Sequence, residues 1–267
     1  MIHVKKTAFI GAGNMGGAII SALLKSPSFC AESILVCDKA PKEEITKLGV
    51  KNVSLEEAVG GADVVVLAVK PNVIFGVIED IKKYDIKDKT FVSIAAGVTL
   101  GSLSKALGTE KIVRVMPNLC LMAGEGMSVL ACAGGVDDEE MQYVKSIFDA
   151  AGKTAIVPEN LIDSCTAING SGPAYVFMFI EALADAAVMQ GIGRDVAYEL
   201  STQTVLGAAK MVQSTQLHPG TLKDMVCSPG GTTIEAVKRL EDASLRSAVM
   251  SAVDACVKKA KELGKNK

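Results

Sequence analysis

The chain has only two histidines in 267 residues, His3 and His218, and no cysteine pair in C-x-x-C spacing. Its seven cysteines, at positions 30, 37, 120, 132, 165, 227 and 256, are odd in number and widely spread. Zinc sites and redox motifs need closely spaced ligands, so no metal site is expected, and the cysteines read as small, reduced side chains of an intracellular protein. A basic excess is missing too: 28 Lys and Arg against 30 Asp and Glu leave a formal charge of −2. Without a basic stripe interleaved with aromatics, nucleic acid is not an expected partner. No long apolar run is free of charge, for AYVFMFIEALADAAVMQ carries Glu181 and Asp185, which are costly in hydrocarbon. The basic start MIHVKK runs straight into an apolar strand and lacks the small-residue cleavage site of a signal peptide. The expectation is a soluble, cytoplasmic protein with no membrane association.

What is present is an alternation. TAFIG (7–11), SILVC (33–37), DVVVLAV (63–69), TFVSIA (90–95) and KIVRVM (111–116) are apolar enough to be buried on both faces, as parallel strands are, with crossover-length segments between them. GMSVLACAG (126–134) reads as a further strand, and 137–152 as a helix with acidic residues in its first turn and Gly152 as its stop. After Pro158 strand patterns end, and Ala/Leu/Met-rich helices are expected over 159–169, 173–190, 194–214, 232–240 and 242–263. The fold class is thus α/β: a doubly wound, mainly parallel domain over 1–158 and an all-α domain over 159–267. The helix 173–190, with Pro173 at its first position, is apolar nearly all round, which points to dimerisation through the helical domain.

FIGAGNMGGAI sets Gly11, Gly13 and Gly16 in G-x-G-x-x-G spacing, with Asn14 and Met15 between, after a strand and opening a helix; Asp38 ends the next strand. This is the context in which glycines let backbone approach a dinucleotide pyrophosphate at a helix N-terminus. Asp38 suits the ribose of NAD, whereas Lys39 suits a 2′-phosphate, so the cofactor is NADPH or NADH with the preference open. Ala68, Val69, Lys70 and Pro71 of AVKP, Ala95 of AAGV and Asn118 of MPN stand at the carboxyl ends of strands, where such sheets bind ligands. Lys70 could reach cofactor or substrate or simply be solvated; Asn118 could pair with a nicotinamide amide or hold its own turn.

In CSPGGTTIEAV (227–237), Thr232 and Glu235 fit a capping box, which leaves Thr233 at the first helical position with a free hydroxyl. Gly230 and Gly231 give access to the first-turn N–H groups, a seat for a carboxylate. A similar helix start, NGSGPAY (169–175), puts Ser171 and Gly172 before the long helix, and the two turns are expected to serve one cleft. His218, in LHPG, suits a loop or a cap better than catalysis. Glu181 and Asp185 read as a solvated or paired stripe.

With GAGNMG, AVKP, RVMPN, GSGPAYVF and DMVCSPGGTTIEAV in this order along nearly the whole chain, the sequence resembles the Δ1-pyrroline-5-carboxylate reductase family. The resemblance implies a Rossmann domain followed by a helical domain that dimerises, with a larger homo-oligomer such as a decamer open. It implies NAD(P)H-dependent reduction of 1-pyrroline-5-carboxylate to L-proline, the last step of proline biosynthesis. Thr233 would hydrogen-bond the ring nitrogen, and the 228–233 turn, with Ser228, Gly230, Gly231 and Thr232, would hold the carboxylate. The chain departs from the family's common pattern at Cys120, where a proline is frequent, at Asn169, where a serine is frequent, and at Asp38–Lys39. A protonated cyclic imine needs a hydride but no strong acid, which fits a site without histidine; carbonyl reduction would need a positioned acid. The β-hydroxyacid dehydrogenases, which share the two-domain plan, resemble a case with a helix lysine as acid/base, and 173–209 contains no lysine. A cofactor-binding sensor would not need the SPGGTT turn.

Overall fold

The computed structural model describes residues 5–40 and 43–265; His3 lies outside them. In chain order its first part runs β1 (Thr7–Ile10), α1 (Asn14–Lys25), β2 (Ile34–Cys37), α2 (Glu43–Lys47), β3 (Lys51–Asn52), α3 (Leu55–Gly61) and β4 (Val64–Leu67). It continues through α4 (Ile74–Ile81), β5 (Thr90–Ser93), α5 (Leu100–Leu107), β6 (Ile112–Met116), β7 (Gly126–Cys132), α6 (Asp138–Asp149) and β8 (Gly152–Ile156). The strands form one sheet in the order β3-β2-β1-β4-β5-β6-β7-β8, parallel except where β6 meets β7.

The unbroken apolar runs follow from two covered faces. Along β4, Val64 and Val66 enter one core with Ile19, Ile20 and Leu23 of α1 and Val144, Ile147 and Phe148 of α6. Val65 and Leu67 enter the other, with Ile74, Ile78 and Ile81 of α4 and Leu103 of α5. Such a strand has no wet side on which to place polar residues. Residues 117–125 are too few for a crossover, so β7 returns antiparallel to β6, whereas α6 carries the crossover to β8, parallel to β7.

Gly152 does not stop α6. The helix ends at Asp149, and Gly152 opens β8 opposite Gly126, at φ 147°. A Cβ at Gly152 would run into the Gly126 backbone, so glycine is demanded by the close approach of two strands and not by a helix end. At the other end of α6, Asp137 and Glu140 form a capping box. Glu140 is buried and also accepts from Lys111 Nζ (2.8 Å) and Thr90 Oγ1 (3.1 Å), tying α6 to the region where β5 and β6 begin. Burial alone would raise its pKa, but the Lys111 ammonium, the Asp137 N–H and the Thr90 hydroxyl hold it below the ordinary value.

The rest of the chain is helical: α7 (Ile162–Asn169), α8 (Gly172–Met189), α9 (Arg194–Thr215), α10 (Pro219–Val226), α11 (Thr232–Asp242) and α12 (Leu245–Lys265). α8 begins one residue earlier than expected, so Pro173 is its second residue. α10 is an addition to the expected helices; Pro219 is its first residue and His218 caps it, Nδ1 accepting the Gly220 N–H at 3.0 Å. The chain divides into two compact units, one holding residues up to Ser171 together with those from Cys256 onward, the other Gly172–Ala255. In the second unit α8 packs on α9, with Ala184 and Ala197 fully buried.

Candidate active site

In the first unit the loops after β1, β2 and β4 meet at the point where strand order reverses, between β1 and β4. The Gly11 N–H donates to Cys37 O (2.9 Å), and the Ala68 N–H to Ile10 O (2.9 Å). Gly11 has φ +100°, and a Cβ there would lie 2.7 Å from Ala68 O. At Gly16 a Cβ would lie 2.5 Å from Gly11 O, so this glycine lets α1 sit close to β1. Gly13 is different, for a Cβ there would meet nothing within 4 Å. It is also the N-cap of α1 and, being glycine, places no side chain over the helix start. Open space at a helix N-terminus reached by a glycine-rich loop is what a pyrophosphate requires, so these residues fit a dinucleotide.

Asp38 has a role beside the one its position suggested. Its Oδ2 accepts the Ala12 N–H at 2.6 Å and its Oδ1 the Ala40 N–H at 2.8 Å, so the carboxylate braces the glycine loop. Its backbone is held in turn by Asn52, which accepts from the Asp38 N–H (3.1 Å) and donates to the Asp38 carbonyl (3.2 Å). Lys39 is exposed. At the ends of β4 and β5, Ala68, Val69 and Pro71 are half-buried, Lys70 is exposed and Ala95 is buried.

Asn118, after β6, is 7% exposed and turned inward. Its Oδ1 accepts the Met127 N–H (3.1 Å) and its Nδ2 donates to Asn169 O (3.0 Å). The amide thus ties the turn after β6 to β7 and to the end of α7. Asn169, the last residue of α7, donates from Nδ2 to Met116 O (2.7 Å) and Met127 O (3.0 Å). A second anchor is Arg114 on β6, whose guanidinium pairs with Glu159 (3.0 Å) and Asp163 (3.3 Å). Neither Arg114 nor the Asn169 tie was expected as a site support. A charge inside the apolar run KIVRVM must be paired if buried, and that is the hint the sequence carries.

The glycine-threonine turn lies in the second unit. The Gly231 N–H donates to Ser228 O at 3.0 Å, with Pro229 and Gly230 between and Gly230 at φ +67°, the left-handed glycine of a type II turn. The chain leaves this turn extended at Gly231, and that residue, not Thr232, is the N-cap of α11. The expected capping box of Thr232 with Glu235 is therefore not formed. Thr232 is the first helical residue and Thr233, half-buried, the second. A Cβ at Gly231 would run into the Ser228 hydroxyl, which would have to turn away, and would lie 3.1 Å from Ser228 O. With the helix starting at Thr232, the N-cap Gly231 supplies no side-chain cap to the first-turn N–H groups, and Ser228 and Thr232, both exposed, lie beside them. Ser171, in the first unit, has its hydroxyl 3.2 Å from Cys256 Sγ, and Gly172 opens α8. Among the described residues no cluster of His, Cys, Asp and Glu could hold a metal ion.

Comparison with known proteins agrees with this arrangement. A family model described as pyrroline-5-carboxylate reductase dimerisation matches residues 159–263, and one described as NADP oxidoreductase coenzyme F420-dependent matches 6–97. The pyrroline-5-carboxylate reductase of Escherichia coli strain K12 is 43% identical, over 98% of this chain and 99% of its own. Among solved structures, a pyrroline-5-carboxylate reductase from Coxiella burnetii superposes with TM-score 0.91 at 37% identity, over 98% of this chain and 99% of the other. The Plasmodium falciparum pyrroline carboxylate reductase with NADP bound gives 0.87 at 34%, over 97% and 98%. Identity of this level across the full length, with the glycine loop and the glycine-threonine turn in place, makes the chain a member of the pyrroline-5-carboxylate reductase family.

Proposed function

We propose that this protein reduces 1-pyrroline-5-carboxylate to L-proline with NADPH or NADH, the last step of proline biosynthesis. The observation that carries the reading is that two glycine-rich loops, around Gly13 and Gly231, lead into helix starts whose N-cap glycine adds no side chain, one suited to a pyrophosphate and the other to a carboxylate. When bound, the reduced nicotinamide supplies the hydride that adds to the C=N carbon. Gly11, Gly13, Asn14, Met15 and Gly16 seat the pyrophosphate, and Asp38 and Lys39 flank the adenosine ribose. Ala68, Val69, Lys70, Pro71, Ala95 and Asn118 form the floor along β4 to β6. The turn of Ser228, Gly230, Gly231 and Thr232 holds the substrate carboxylate, with Ser171 and Gly172 as further substrate-binding residues. The Thr233 hydroxyl accepts the N–H of the protonated imine; carbon gains the hydride, nitrogen keeps its proton, and a secondary amine results without an acid.

Magnitudes favour positioning. A helix-terminus contact contributes about 0.3–2 kcal/mol and a hydrogen bond to a charged nitrogen about 1.5–3, whereas holding two reactants in register contributes on the order of 7–11. Thr233→Val keeps the shape and removes the hydroxyl, and is expected to lower kcat about 10- to 100-fold while the Kd of NADPH stays within about twofold. Steady-state kinetics beside a cofactor titration checks this, and an unchanged kcat would remove Thr233 from the mechanism.

The functional division runs 1–158 for cofactor and 159–267 for substrate and pairing, a boundary supported by the family matches at 6–97 and 159–263. The protein works as a homodimer at least. On α8, Phe177, Met178 and Met189 are 53%, 69% and 83% exposed, too much apolar surface to leave in water. The stretch Glu159–Met189 is apolar and long enough to cross a membrane, but Asp185 within it is ion-paired with Arg194, which suits a protein partner and not lipid. Light scattering should give at least twice the chain mass, and Met178→Glu should shift it toward the monomer; a monomeric parent would contradict the assignment. Seven unpaired cysteines support the cytoplasm as its compartment.

A further inference from the structure

We infer that Asn169 is a positioning residue for the nicotinamide half of the cofactor site, acting through the turn that follows β6; the inference rests on the reductase reading above. In a sheet of this strand order the two mononucleotide halves lie on either side of the β1/β4 reversal, and the end of β6 belongs to the half opposite β2. The Met116–Asn118 turn at that end does not hold itself. Asn169 reaches it from α7 and, through one amide nitrogen, ties Met116 O (2.7 Å) on β6 to Met127 O (3.0 Å) on β7. Its own carbonyl accepts from Asn118 Nδ2 (3.0 Å), and Asn118 Oδ1 closes the ring on the Met127 N–H (3.1 Å). Four hydrogen bonds thus make the end of β6, the start of β7 and the end of α7 one block.

The chemistry of the residue matters. A serine hydroxyl has one hydrogen and could donate to one of the two carbonyls, whereas the amide donates to both. The second tie is kept although Asn169, 7% exposed, has its Oδ1 buried without a donor. The next residue leaves no slack: a Cβ at Gly170 would lie 2.9 Å from Thr166 O and 3.1 Å from Met116 Cε. None of these four bonds involves Gly11–Gly16 or Asp38, so loosening the block should disturb one half of the cofactor site and spare the other.

The test compares the parent with Asn169→Ala and Asn169→Ser by titration calorimetry, using NADPH and 2′-phospho-ADP-ribose, which lacks the nicotinamide, alongside steady-state kinetics. For Asn169→Ala we expect NADPH affinity to fall about fivefold or more, the fragment to bind within about twofold of the parent, and kcat to fall about 10- to 100-fold, since a shift of about 1 Å can cost that much. Asn169→Ser should lie between. NADPH and the fragment weakening in parallel would make Asn169 merely structural, and both Kd and kcat within twofold would leave it no role; either overturns the inference. Should the alanine variant not fold, the serine variant decides by the same comparison. A parent that binds NADPH but does not reduce pyrroline-5-carboxylate would sink the reductase reading, while the two binding constants still decide Asn169.

Discussion

Gly13→Val is expected to weaken the binding of the reduced cofactor about 100-fold or more and to leave thermal stability within about 1 kcal/mol of the parent. An added Cβ meets no protein atom within 4 Å, and the backbone there is ordinary extended chain, so the fold has no reason to object. The space it fills is the approach to the open N-terminus of α1. Losing one or two charge-assisted hydrogen bonds, about 1.5–3 kcal/mol each, gives the expected factor. Gly11→Ala should behave in the opposite way: the positive φ and the Cβ 2.7 Å from Ala68 O strain the fold by about 1–3 kcal/mol, and melting should report it first. Fluorescence titration with NADPH beside thermal melts separates the two. A Gly13→Val protein with parental affinity would mean that no pyrophosphate approaches there.

Arg114→Ala should be among the most destabilising single changes in the first unit. The residue is 6% exposed, and its guanidinium is shared between Glu159 and Asp163. Glu159 Oε1 also accepts the Leu100 N–H at 2.6 Å, so one residue joins β6, the start of α5 and the start of α7. Removing one partner from a buried ion pair costs roughly 3–5 kcal/mol. The lower end applies because the Glu159 and Asp163 side chains keep 31% and 32% of their surface exposed. At about 2–4 °C per kcal/mol for a chain of this size, Tm should fall by roughly 10 °C. Arg114→Lys should recover little, since an ammonium cannot reproduce the two-pronged fork. By contrast, removal of Lys47, whose pair with Glu43 is exposed on both sides, should cost less than about 1 kcal/mol. Equal Tm values for the Arg114 and Lys47 variants would refute the anchoring role.

Strands with two covered faces are written as unbroken apolar runs, and so β1, β2, β4, β5 and β6 are legible in the sequence. β3 and β8 are not. Lys51 and Asn52 are exposed, and Gly152–Ile156 is at best half-buried, so neither sheet edge carries the apolar run that marks the interior. The glycine loop was legible because it combines three glycines with a strand and a helix. The job of Asp38 was not, because its partners Ala12 and Asn52 are distant in sequence and contribute a backbone N–H and a side-chain amide that no local pattern advertises. The same holds for Asn118 and Asn169, whose mutual bond spans 51 residues. At α11 a capping box written in the sequence gave way to a helix that starts one residue earlier, with Thr232 inside it and Gly231, at the end of the Ser228 turn, as its N-cap.

The most direct test adds pyrroline-5-carboxylate to the protein with NADPH, and in parallel NADH, and follows both nicotinamide absorbance and L-proline. The expected result is one L-proline formed for each reduced nicotinamide consumed. Protein that binds a reduced cofactor yet forms no L-proline with either would contradict the assigned reaction.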